Sequence, residues 1–255
     1  LLGQQGLTRV QQAHILVVGV GGVGSWTVEA LARTGIGALT LVDLDEVCFS
    51  NVNRQLPALD GTIGLPKVEV LRERVGRIHP ECRVTAIQEF FTEASAARLL
   101  DAFQAAGGTH VVDAIDSSVN KCQLILACRQ RGLSLVLSGA AGGRSDPTQV
   151  RVSDLARVTH DRLLSEVRKR LRREHGYPRD DAPWGLPAVH SVEPSVLPQA
   201  DRTVCAASQA VTPAGESPRL NCQEGYGSAA FVTGTFGLTL AAEVTRRIVS
   251  IPGRN

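Results

Sequence analysis

The run HILVVGVGGVGS, residues 14–25, constrains this chain more than any other stretch. A short apolar strand leads into Gly19, Gly21 and Gly24 at the spacing G-x-G-x-x-G, and the chain continues as the helical VGSWTVEALARTG. Glycines so placed permit a tight turn. They also let backbone N–H groups and a helix N-terminus approach phosphate oxygens. Gly22 lies in the same loop. The pattern points to a bound nucleotide without saying which one.

Downstream, apolar runs alternate with helical stretches. ALTLVD (38–43), RVTAIQ (83–88), THVVDAI (109–115) and LSLVLSG (133–139) have the β-branched character of strands buried on both faces of a parallel sheet. Helices are expected at 23–35, 66–78, 93–108 and 117–132; Gly35 suits a helix stop and Pro66 a helix start. This alternation predicts an α/β fold: a Rossmann-like, doubly wound, mostly parallel sheet over residues 14–140, followed by a C-terminal α/β extension. At 255 residues and 43% hydrophobic, one compact unit is the expectation. No apolar run reaches the roughly 18 residues that span a bilayer, which argues against a membrane partner. A net charge of +2 by itself predicts no partner.

Beyond Gly139 the pattern changes. GAAGGRSDPTQV (139–150) is loop-like. HDRLLSEVRKRLRREHG (160–176) predicts an amphipathic helix with Leu163, Leu164, Val167 and Leu171 on one face. Residues 177–200 hold five of the twelve prolines and are expected to form a mobile loop. GSAAFVTGTFGLTLAAEVTRRIV (227–249) is apolar enough for a buried terminal helix.

After the second strand comes DLDEVCFSNVNRQL, residues 43–56. Asp43 can accept hydrogen bonds from ribose hydroxyls. An ordinary dinucleotide site would need little more, because hydride transfer requires no added positive charge at the phosphates. Cleaving a triphosphate at its α-phosphate does require it, since charge builds on the departing pyrophosphate. Arg54 offers a planar fork for phosphate oxygens. Asn51 and Gln55 add amide donors without charge, and Lys67 in GLPK adds a second cation. Asp116 in DAIDS ends the fourth strand on the ligand side. Two readings stand for it: a magnesium ligand bridging phosphates, or a cap for the helix near Ser117.

Together GVGGVGS, EALARTGIGALTLVDLDEV, NVNRQ, GLPKVE, RIHPECRV and DAIDS resemble the ubiquitin-activating-enzyme-like adenylating family, which includes the bacterial ThiF, MoeB and HesA proteins. The likeness covers essentially the whole chain. It implies one domain over 1–255, with a nucleotide-binding part at 1–140 and a substrate-side extension at 141–255. It implies that Arg54 and Lys67 bind the ATP phosphates, that Asp43 holds the ribose with Asp45 beside it, and that Asp116 binds magnesium. Asn51 and Gln55 support them. The resemblance also implies a homodimer in which an N-terminal arginine reaches the partner's ATP site. Arg9 is the only arginine before the first strand and its neighbours match poorly. The chain opens at Leu1 and contains no methionine, and no residue in it is assigned as the trans arginine.

Carrier-protein activators of this family normally hold zinc through two C-x-x-C pairs. The cysteines here, Cys48, Cys82, Cys122, Cys128, Cys205 and Cys222, form none, so zinc is not expected and reduced thiols in the cytoplasm are. SGAAGGRSDPTQVRVSDLA, DRTVCAA and NCQEGYGSAAFVTGTFG resemble instead the family's tRNA-modifying branch, the threonylcarbamoyladenosine dehydratases. That likeness implies ATP-dependent cyclisation of threonylcarbamoyladenosine beside the tRNA anticodon, through carboxylate adenylation and AMP release. Cys222 stands either as a catalytic thiol or as a buried, inert one. Arg168, Lys169, Arg172 and Arg173 stand either as RNA-phosphate contacts or as a solvated helix face. The alternatives are an activator of a ubiquitin-like or sulfur-carrier protein, and a nucleotide-binding scaffold that meets a cysteine desulfurase or sulfur acceptor. An NAD oxidoreductase is the outsider.

Overall fold

Continuous apolar character in the strand segments is what a sheet covered on both faces demands, and the computed structural model has that sheet. It describes residues 1–198, 204–206 and 227–250. The main sheet comprises β1 (His14–Val18), β2 (Ala38–Val42), β3 (Arg83–Ile87), β4 (His110–Asp113), β5 (Ser134–Ser138), β6 (Val150–Asp154) and β7 (Pro187–Ser191), in the order β3-β2-β1-β4-β5-β7-β6. All neighbours are parallel except β6 and β7. A separate antiparallel pair joins β8 (Val196–Pro198) to β9 (Val204–Ala206).

Residues alternate between two cores. Ile15, Val17, Leu39 and Leu41 face α1 (Gly3–Gln12), α2 (Gly22–Thr34), α3 (Lys67–Ile78) and α7 (Ala230–Val249). Leu16, Val18, Val111 and Leu135 face α4 (Glu93–Ala105), α5 (Ser118–Gln130) and α6 (Arg162–Glu174). Strand order reverses between β1 and β4, and in such sheets the crevice beyond the carboxyl ends at that point receives ligands. α7 presses on α2 through a glycine: a Cβ at Gly237 would lie 2.6 Å from Trp26 Cβ and 2.6 Å from the Val23 carbonyl oxygen. This close approach brings the first turn of α7 to the same crevice. No helix among the described residues is long and apolar enough to cross a membrane.

The expected elements before Gly139 are all present, most with shorter ends, and α2 begins one residue earlier than expected. The expectation of a loop over 177–200 is corrected. PAVHS within it is β7, buried along its whole length beside β5. Five prolines and weak periodicity pointed to a loop, but Pro187 sits at the first strand residue, where it removes no necessary donor. The alternating VRVSD of β6 forms the sheet edge. α1 was not anticipated either; only Gly6 and Val10 of it are buried.

Candidate nucleotide site

The glycines after β1 are fixed by close backbone approach. Gly19 has φ +84°, and a Cβ there would lie 2.7 Å from the Ala114 carbonyl oxygen. One at Gly24 would lie 1.9 Å from the carbonyl oxygen of Gly19. The loop therefore folds onto itself and against the segment after β4, with the N-terminus of α2 opening from it. Asp43, one residue past β2, ties the loop down: the Val20 N–H donates to Oδ2 at 2.7 Å and the Asp45 N–H to Oδ1 at 2.9 Å. Burial pushes its carboxyl above the ordinary range, while the Val20 N–H and the nearby Lys67 charge pull the other way. Each oxygen keeps a lone pair for a ribose hydroxyl.

Residues 48–55 close over this loop. Asn51, buried, accepts the Cys48 N–H at 3.1 Å and so fixes the turn that presents Arg54. The Arg54 guanidinium donates to the Ser50 carbonyl at 2.7 Å and to Asn53 Oδ1 at 2.9 Å. Its own carbonyl accepts from Trp26 Nε1 and from Thr233 Oγ1, both at 3.2 Å. Asn53 Nδ2 donates to the Ser228 carbonyl at 2.7 Å. Helices α2 and α7 thus hold this segment from two sides. The Gln55 amide lies beside Gly21, and its Oε1 is buried with no hydrogen-bond partner. Leaving a buried acceptor unmade costs about 1–3 kcal/mol, which a ligand hydroxyl or amine would recover.

Lys67, the first residue of α3, is buried and donates to Asp45 Oδ2 at 2.8 Å. Asp45 is exposed, so this ammonium reaches toward the same crevice as Asp43. Asp116 is exposed in the turn between β4 and α5. It does not cap α5: Ser117 does, accepting from the Asn120 N–H at 3.4 Å. Of the two readings for Asp116, the cap is therefore excluded. Beneath the turn, Lys121 Nζ lies 2.8 Å from Asp113 Oδ2, both side chains without solvent exposure.

Arg54, Lys67, Asp43, Asp45, Asn51, Gln55, Gly19, Gly21, Gly22 and Gly24 therefore surround one crevice, with Asp116 at its β4 side. Cys222 lies outside the described residues, as does the Cys205 side chain. Cys48 is exposed. Burial raises the Cys82 and Cys122 thiols to about 11 and Cys128 to about 12, so these three are inert at neutral pH. Of the arginines on α6, Arg168 donates inward to the Leu155 and Val158 carbonyls at 3.1 and 2.7 Å. Arg172 donates to the Pro178 carbonyl at 3.0 Å and lies over the Trp184 ring. Lys169 and Arg173 are exposed, the latter against Glu174. Arg9, for its part, donates to the Val249 carbonyl at the end of α7.

Sequence reasoning passed over Trp26, Thr233 and the Asp113–Lys121 pair. Lys121 did leave a signal. With Leu124, Ile125 and Cys128 it completes an i, i+3, i+4, i+7 stripe, which makes it a lysine on a core face. Trp26 and Thr233 left none, since their role depends on two distant helices meeting.

Fold and site together define an adenylating type of nucleotide-binding α/β protein, with two cations gathered at a glycine loop. The ThiF family matches residues 1–255, and the chain belongs to that family. It is similar to the tRNA threonylcarbamoyladenosine dehydratase of Escherichia coli (strain K12), at 43% identity over 256 residues, covering 100% of this chain and 92% of that protein. The solved structure of TcdA (CsdL) has a TM-score of 0.84 at 42% identity, covering 96% of this chain and 90% of that one. The E. coli dehydratase in complex with ATP has a TM-score of 0.79 at 40% identity, covering 96% and 89%.

Proposed function

We propose that this protein is an ATP-dependent tRNA threonylcarbamoyladenosine dehydratase. The observation that carries the reading is similarity to such enzymes along the entire chain, the part after Gly139 included. The site's chemistry agrees with it. The threonyl carboxylate attacks the α-phosphate of ATP, an acyl-adenylate forms and pyrophosphate departs. Arg54 and Lys67 stabilise the charge that develops on the leaving phosphates. A heteroatom of the same modification then attacks the acyl carbon and AMP leaves, carrying the carboxylate oxygen; the nucleoside has lost one water. Nucleophile and electrophile belong to one bound nucleoside, so effective concentration favours ring closure without a protein nucleophile.

Asp43 orients the ribose and Gln55 Oε1 accepts from the nucleotide. Magnesium, where bound, neutralises phosphate charge. Asp116 would be the carboxylate that holds such an ion beside the phosphates, the hard oxygen donor that magnesium prefers. Among the described residues no group of three His, Cys, Asp or Glu stands ready to hold a metal alone. Of Arg168, Lys169, Arg172 and Arg173, the exposed Lys169 and Arg173 meet RNA phosphates in this reading; their exposure supports it. The chain acts as one unit, with 1–140 holding ATP and 141–255 shaping the substrate side, and works in the cytoplasm with its tRNA. A second copy of the chain covers the apolar rim of the site, where Phe49, Val52, Leu59, Ile63 and Leu65 are exposed. A cysteine desulfurase or sulfur acceptor as a further partner rests on family resemblance alone.

The test is AMP release from ATP and magnesium with tRNA bearing threonylcarbamoyladenosine, against the same tRNA unmodified, with nucleoside mass analysis. Release with only the modified tRNA and a product lighter by one water are expected. Release triggered by a Gly-Gly-ended carrier protein, and by neither tRNA, would replace this substrate.

A further inference from the structure

The fully buried pair Asp113–Lys121 is hard to explain by stability. Taking two charges out of water costs as much as their attraction returns, and apolar residues of similar volume usually serve as well or better. Lys121 is also in the first turns of α5, at the end of the helix where backbone N–H groups already present positive charge. An ammonium there is opposed by both desolvation and the helix.

What the pair does is geometric. Asp113 is the last residue of β4, and one carboxylate oxygen accepts from Lys121 while the other accepts from the Ile115 N–H at 3.0 Å. The intervening Ala114 donates to the Val18 carbonyl at 2.9 Å and presents its own carbonyl to Gly19, where no Cβ would fit. One carboxylate thus sets the turn 113–116 against the phosphate loop from below, and the lysine of the next helix locks it. Asp116 follows Ile115 directly.

We propose that Asp113 and Lys121 are positioning residues that hold the Asp116 carboxylate at its working height over the phosphate loop. This rests on the adenylation reading of the site. The pair touches neither ATP nor tRNA; it acts only through the turn.

The experiment is a cycle of variants on the full-length protein. One carries Asp113→Leu with Lys121→Met, one carries Asp116→Asn, and one carries all three. AMP release with modified tRNA, ATP affinity by calorimetry and melting temperature are measured for each. Replacing the pair is expected to lower kcat by roughly tenfold or more, leaving ATP affinity within about threefold and melting close to wild type. In the Asp116→Asn background the same replacement is expected to cost nothing further, because residues that act as a unit are not additive. Equal losses in both backgrounds would make the pair merely structural and overturn the proposal, as would a wild-type rate in the Leu–Met variant. Should the Leu–Met variant fail to fold, Lys121→Arg keeps the charge while forcing the turn to shift, and the cycle is read in the same way. If the wild-type protein itself releases no AMP with modified tRNA, the reading of the site fails before the pair is tested.

Discussion

Lys67 Nζ lies 2.8 Å from Asp45 Oδ2, with the lysine buried and the aspartate exposed. An exposed carboxylate attracts weakly through water, so this ammonium can serve a second anion, as the adenylation reading proposes. Lys67→Met is expected to lower AMP release about 10²–10³-fold, the usual effect of removing one charge-stabilising donor. Lys67→Arg should recover little, since a fork does not fit where an ammonium is enclosed. Asp45→Asn should cost much less than either. Wild-type turnover by the methionine variant would remove Lys67 from the chemistry.

Gly24 carries the tightest approach in the phosphate loop, with the Gly19 carbonyl 1.9 Å from where a Cβ would be. Backbone cannot yield as a flexible side chain can. Gly24→Ala must therefore open the turn, withdrawing N–H groups from the phosphates. ATP affinity should fall by more than tenfold while stability drops by about 1–3 kcal/mol. Calorimetric titration with ATP and urea unfolding would separate the two effects. Binding at wild-type strength would mean that this loop does not hold phosphate.

The nucleotide half was legible because its cues are local. A continuous apolar run makes a strand whatever surrounds it, and G-x-G-x-x-G fixes the turn that follows. Asp43 stands one residue beyond β2 and Lys67 opens α3, so both are placed by local cues; Arg54 follows the short turn Phe49–Asn51 and was legible from the polar run NVNRQ. The remainder was hidden where distant segments decide. β7 is only five residues long and begins with proline; it becomes a strand because β5 and β6 offer it partners. Thr233 reaches Arg54 only because Gly237 lets α7 press on α2. Charge counting on α6 likewise could not see that Arg168 turns inward to carbonyls, a matter of what packs beneath the helix.

The apolar rim supports a quaternary prediction. Phe49 is 79% exposed, Val52 is 54% exposed, and Phe231 on the adjoining α7 is 58% exposed. Asn53 joins the two segments through the Ser228 carbonyl. Large apolar side chains gathered beside a functional site mark an interaction surface. Wild-type protein should sediment at twice the chain mass, and Phe49→Glu should shift it toward the monomer by placing a charge in the interface. AMP release should fall along with it if the partner copy completes the ATP site. A monomeric wild type at concentrations that support turnover would remove this assembly.

Two buried histidines and one half-buried histidine give the protein a defined acid sensitivity. His14 bonds Thr40 Oγ1 at 2.8 Å, His190 bonds Ser153 Oγ at 3.0 Å with its Nδ1 unpartnered, and His110 lies at the start of β4. Burial lowers all three below the ordinary histidine value of 6.5. The unfolded chain therefore binds protons first, and stability is complete above pH 6.5 and lost as pH falls from there toward the folded-state values. Each histidine contributes at most about 1.4 kcal/mol per pH unit to that slope. Asp43 and Asp113, raised by burial, act with the opposite sign, since the folded state holds their protons more tightly; they offset part of the loss at lower pH. Urea midpoints should thus fall between pH 7.5 and 5.5, and His190→Gln should flatten the decline. A midpoint that holds steady across this range would mean that these rings take up protons without cost in the folded protein.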